Sequence, residues 1–201
     1  LKTENTDCPG ESFQKVISGN GGRQIPQEWT VLRDGSIILG SYGGNDTDVS
    51  QGKQNALVIK LNPDGTVVWQ KELRSAKQLS MSVKLVYELK DGSMIIGGEH
   101  HKKKADQTGL NWHESFIAML DRNGTMIWAK SFNSKSQECN DHSRFNITDV
   151  AEGKNGELYV GSSLVLCTGM YTQCIFKLDA NGKILWSNTL DHKTGMNENY
   201  G

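Results

Sequence analysis

The sequence predicts an all-β protein, a β-propeller segment of four-stranded antiparallel blades with about three blades plus one N-terminal outer strand, and so a partial wheel. Three observations carry this expectation. One unit recurs three times without a gap: NALVIKLNPDGTVVWQKEL from Asn55, ESFIAMLDRNGTMIWAKSF from Glu114 and TQCIFKLDANGKILWSNTL from Thr172. A second unit precedes each copy: WTVLRDGSIILGSY from Trp29, LVYELKDGSMIIGGEH from Leu85 and DVAEGKNGELYVGSS from Asp149. Finally, both units carry Asp-Gly or Asn-Gly between runs of β-forming residues, the dipeptides that close two-residue hairpins. Two hairpins in series give four strands per repeat, and a repeat of this length overrides local readings.

Taken in chain order, the first element is a single strand at 12–18, where FQKVIS from Phe13 matches WQKELR of the first full repeat. It reads as the outer strand of a preceding or closing blade. The blades follow at approximately 28–73, 84–132 and 147–190. In each, the third strand (ALVIKL in the first) is almost continuously apolar, which requires both of its faces to be covered. Radial stacking of four-stranded sheets supplies that cover. Structural columns run through the repeat: Gly65, Gly124 and Gly182 at the hairpin, and Trp69, Trp128 and Trp186 a fixed step later, the Trp ring expected to fill the gap between blades. Three blades and a strand do not close a ring, since wheels generally have at least four blades. The chain is therefore expected to be part of a longer propeller or to complete itself by association; the tail DHKTGMNENYG resembles a connection into another blade.

The succession of a strand, Leu178-Asp179-Ala180-Asn181-Gly182, three residues and Trp186 resembles the propeller repeats grouped with the pyrroloquinoline quinone (PQQ) enzymes and related bacterial surface repeats. The resemblance spans nearly the whole chain and implies architecture. Quinoprotein repeats typically carry Asp-x-x-Thr-Gly before the Trp, one residue more than here, so no cofactor is expected. Propellers serve hydrolases, lyases, lectins and interaction platforms alike.

Bulk composition narrows the partners. The 201 residues hold 22 Lys plus Arg against 23 Asp plus Glu, so no overall field draws the chain to nucleic acid or acidic lipid. No apolar run is long enough for a membrane span. Gly is frequent at 22 and Pro scarce at 3, as tight turns between ordered strands require. Four cysteines without C-x-x-C spacing argue for disulfides over zinc, pairing Cys167 with Cys174 and Cys8 with Cys139. With the sequons at Asn45, Asn123 and Asn146, they fit a secreted, cell-surface or periplasmic protein.

With both hairpins of every repeat at one rim, the long connections gather at the other, where binding groups concentrate on a rigid scaffold. The loops are GGNDTDVSQGKQ, HHKKKADQTGLNWH and NSKSQECNDHSR. His100, His101, Lys102, Lys103, Lys104 and His113 form a basic patch fit for a phosphate, sulfate or carboxylate. Tyr42, Trp112 and Tyr171 offer rings for a sugar or a protein partner. Trp112 alone is too little stacking surface for single-stranded nucleic acid, so no nucleic-acid partner is expected. Asp46 and Asp48 lack the spacing of a calcium loop, and His100 with His101 lacks a third ligand, so no metal is expected. Asp141-His142 and Asp191-His192 are repeated acid and imidazole neighbours, which read as polar turns with His142 kept among the binding candidates. The leading expectation is a scaffold binding a protein or glycan through the long-loop rim. Its rivals are part of a propeller enzyme with its groups in other blades, and a structural unit that completes a ring by self-association.

Overall fold

The computed structural model describes residues 23–44, 54–74, 80–102, 112–132, 144–165 and 171–190. They form twelve strands and, among the described residues, no helix: β1 Arg23–Val31, β2 Ile37–Gly44, β3 Asn55–Leu61, β4 Val67–Leu73, β5 Ser80–Glu88, β6 Met94–Lys102, β7 Trp112–Leu120, β8 Met126–Phe132, β9 Arg144–Glu152, β10 Leu158–Val165, β11 Tyr171–Leu178 and β12 Ile184–Leu190. The strands pair antiparallel, each with its chain neighbour, in three four-stranded sheets: β1 to β4, β5 to β8 and β9 to β12. Each sheet begins a few residues ahead of the starts expected at 28, 84 and 147. The added residues lie before a bulge in the first strand, at Pro26/Glu28 in β1 and Val83/Leu85 in β5. A bulge interrupts the regular apolar alternation on which such a boundary is read.

Sequence repetition becomes physical in the two cores. Ile38, Ala56 and Val58 of the first sheet meet Val83, Val86, Phe116 and Leu120 of the second in one buried cluster. Ile95 and Ile117 of the second meet Ile147, Val150, Phe176 and Leu178 of the third in the other. The second sheet is thus covered on both faces, which explains its unbroken apolar strand: Phe116 and Ile117 are neighbours pointing to opposite cores, 2% and 0% exposed.

Glycine sets how closely the sheets approach. A methyl group added to Gly40 would clash with Val83 Cγ1 of the next sheet. At the matching position, one added to Gly97 would lie 3.5 Å from Ile147 Cγ2 of the sheet after it. A β-branched side chain on the first strand of each following sheet therefore fills a hollow left by glycine in the sheet before.

The hairpins differ from the two-residue turns expected. In the first, Leu32 N–H donates to Ser36 C=O at 2.7 Å and Gly35 N–H to Leu32 C=O at 2.9 Å. That is a three-residue loop, a turn followed by a left-handed glycine, with φ of 81° at Gly35. An Asp side chain braces it: Asp34 Oδ1 accepts from the Ser36 N–H at 2.9 Å and also from its hydroxyl. The same bonds recur at Asp64 with Thr66 and at Asp91 with Ser93.

Candidate functional site

Strand direction places every tight hairpin at one end of the stack and every longer connection at the other. The two ends differ chemically.

At the hairpin end, a cleft of about 380 Å³ opens between the first and second sheets, lined by Arg33, Asp34, Lys60, Glu88, Lys90 and Arg122 among others. Its charges are engaged with one another or with backbone. Lys60 Nζ lies 3.3 Å from Asp34, and Arg33 Nε lies 3.2 Å from Glu88. The Arg122 guanidinium donates to Asp91 C=O. Lys90 Nζ reaches across to Gly153 C=O at 2.9 Å. The Ser36 hydroxyl and N–H, helped by Lys60, hold the Asp34 carboxyl down at about 2. Glu88 Oε2 also accepts the Arg33 N–H at 2.8 Å, and Glu152 Oε2 accepts the Lys90 N–H at 2.7 Å, so one carboxylate column ties each sheet to the turn of the sheet before. This cleft is a set of structural clamps.

Tryptophan forms a second repeated clamp. Trp69 Nε1–H donates to Arg122 C=O at 3.2 Å and Trp128 Nε1–H to Ala180 C=O at 3.0 Å. Each ring lies against the glycine at the tip of the next sheet's hairpin. A methyl group on Gly124 would sit 3.0 Å from the Trp69 ring, and one on Gly182 would sit 2.9 Å from that of Trp128. Gly65, Gly124 and Gly182 all have positive φ, between 75° and 77°. The contact of a Trp with the hairpin of the following sheet is thus made twice, by Trp69 and by Trp128.

At the other end lies a groove of about 240 Å³, with Leu73 and Arg74 on one wall and Met81, His100, Phe116 and Lys130 among those on the other. His100 belongs here and not to an exposed basic patch. It is 7% exposed, its ring stacks on Phe116 at 5.1 Å and 18°, and its Nδ1 lies 4.0 Å from Glu114 Oε2. The pairing of β6 with β7 sets His100 opposite Glu114, His101 opposite His113 and Lys102 opposite Trp112. Residues from both ends of the HHKKKADQTGLNWH loop therefore share one strand end. The acid and imidazole neighbours this creates are cross-strand, so no sequence spacing flags them.

Tyr42 is half-buried on β2, between Ile25 and Ala56 in register. Lys103, Lys104, His142, Asp46, Asp48, Asp141, Asp191 and His192 lie outside the described residues, as do the strand expected at 12–18 and Cys8, Cys139 and Cys167. Cys174 is a free thiol with Sγ 3.2 Å from Thr189 Oγ1, and among the described residues there is no disulfide. Of the sequons, Asn123 is exposed at a hairpin tip and Asn146 is half-buried on β9. Among the described residues no three His, Cys, Asp or Glu side chains gather as metal ligands, and no helix is long and apolar enough to cross a membrane.

No protein-family model matches the chain, and no curated protein matches it.

Proposed function

We propose that the three sheets are successive blades of a β-propeller and that the chain is an exported scaffold binding a protein or glycan through the end where the long connections emerge. The observation that carries this is the segregation of the connections. The hairpin end is closed by clamps whose charges are already engaged, whereas Tyr42, His101, Trp112 and His113 stand on strands that run into the other end. Loops held together by rigid strands are where recognition groups act in concert. Two sheet interfaces that repeat the same glycine hollow, glutamate clamp and tryptophan clamp support the radial reading, because an operation applied twice without change continues around an axis.

The test is a glycan array probed with the intact chain, followed by calorimetry on any hit with Tyr42→Ala, Trp112→Ala and the hairpin-end variant Lys60→Ala. The expected result is affinity reduced at least about tenfold by one of the aromatic variants, the size of a lost ring contact, and unchanged in Lys60→Ala. Affinity lost in Lys60→Ala and retained in both aromatic variants would move the site to the hairpin end.

A further inference from the structure

The third sheet presents unused halves of contacts that the molecule makes twice elsewhere. Ile38 and Val58 on the first sheet, and Ile95 and Ile117 on the second, are 0% exposed because the following sheet covers them. Their counterparts in the third sheet are Tyr159 and Ile175, exposed to 36% and 40%. Trp186, in the column of Trp69 and Trp128, is 44% exposed, its ring edge-on to Tyr159 at 6.3 Å. Beside them Lys177 lies 5.1 Å from the Tyr159 ring centre and 3.0 Å from Glu157. Gly161, in the column of Gly40 and Gly97, has only atoms of its own sheet near its added methyl position, Thr148 and Asp149.

We propose that this face docks another four-stranded sheet of the same repeat, recognised at three points. The partner sheet carries a β-branched apolar residue to fill the Gly161 hollow, as Val83 and Ile147 fill those of Gly40 and Gly97. On its first strand it carries a glutamate to accept the Lys154 N–H, as Glu88 and Glu152 accept those of Arg33 and Lys90. Its outer hairpin ends in a left-handed glycine, against which the Trp186 ring lies while the indole donates to a turn carbonyl.

The alternative occupant, the first sheet of a second copy, meets one of these three conditions. It has Gly65 at the hairpin, with φ of 77°. In the glutamate column, however, it has Val31, and in the hollow-filling column Pro26, which stands ahead of the β1 bulge as Val83 stands ahead of that in β5. A second copy would leave the Lys154 N–H without its carboxylate and set a proline ring where a branched aliphatic chain fits.

The experiment appends a second copy of residues 133–190 after Leu190, which supplies an Ile147, a Glu152 and a Gly182 to the open face. The indole N–H resonance of Trp186 is assigned by its loss in Trp186→Phe, and its solvent exchange is compared in the extended chain and the original. Docking is expected to slow that exchange at least about tenfold. It is also expected that Gly182→Val in the appended copy restores fast exchange. An appended sheet that stays unfolded, or that folds while the Trp186 indole exchanges as before, overturns the proposal, since the same residues fold in place against the second sheet. Protection of Trp186 in the original chain that grows with concentration and vanishes in Gly65→Val would also overturn it, assigning the face to a second copy.

Discussion

Two glycines with nearly the same backbone conformation separate the demands that a turn makes from those that packing makes. Gly156 has φ of 80° and nothing within 4 Å of an added methyl group, whereas Gly124 has φ of 76° and the Trp69 ring 3.0 Å away. Gly156→Ala should cost only the left-handed conformation, about 1–2 kcal/mol. Gly124→Ala adds the displacement of a packed ring, a further ~1–3 kcal/mol. Urea unfolding of both variants checks the difference; equal losses would mean that the ring moves aside freely. A hydrogen bond from Lys177, joined by the Asn155 N–H, draws Glu157 from 4.5 down to about 2, and the same pair raises Lys177 above 10.5. The Glu157 contribution to stability is complete above about pH 4.5 and is lost as pH falls toward 2. The Lys177 contribution is complete below about 10.5 and is lost as pH rises through its elevated value. A carboxyl carbon titration by NMR should give Glu157 a midpoint near 2, returning toward 4.5 in Lys177→Met; an unshifted midpoint in the intact protein would break the pair.

Elements show which features of the fold are legible in the sequence and which are not. The four strands of each repeat were readable because Asp-Gly and Asn-Gly punctuate runs such as ALVIKL and FIAML, and the covering of both faces of the second sheet was readable because FIAML does not alternate. Loop length was not, because a left-handed glycine closes two- and three-residue loops alike, and the bonds of Asp34, Asp64 and Asp91 to Ser36, Thr66 and Ser93 that brace the longer one are not counted by a dipeptide rule. The Trp and Gly columns stood out as a pattern, but that each Trp reaches the hairpin of the next repeat, 53 residues on for Trp69, is a fact of three dimensions. His100 reads as a loop histidine beside three lysines; only the β6 to β7 register turns it inward onto Phe116. Glu88 is equally silent in sequence, though its position predicts a measurable effect. Glu88→Gln keeps an acceptor for the Arg33 N–H, while Glu88→Ala removes it, so Ala should cost about 0.5–1.5 kcal/mol more than Gln. Thermal unfolding of the two variants tests this, and equal losses would reduce Glu88 to its charge alone.

At the scale of the molecule, stability follows the number of covered faces and so should be unequal along the stack. Ile117, in the middle sheet, is 0% exposed and sits in the core shared with the third sheet; Ile175, the same column one repeat later, is 40% exposed on the open face. Ile117→Ala should cost about 2–5 kcal/mol, as truncation inside a closed core does. Ile175→Ala should cost well under half of that, because water already reaches its side chain. The same gradient governs opening. β7 is buried along Ser115 to Ala118, whereas β12 is exposed at every described side chain from Ile184 to Thr189. Amide exchange should therefore be slowest in β6 and β7 and fastest in β12, with β11 between them. A third sheet that exchanges as slowly as the second would show that the stack opens only as a whole, and that the cover of one neighbour gives each sheet its full stability.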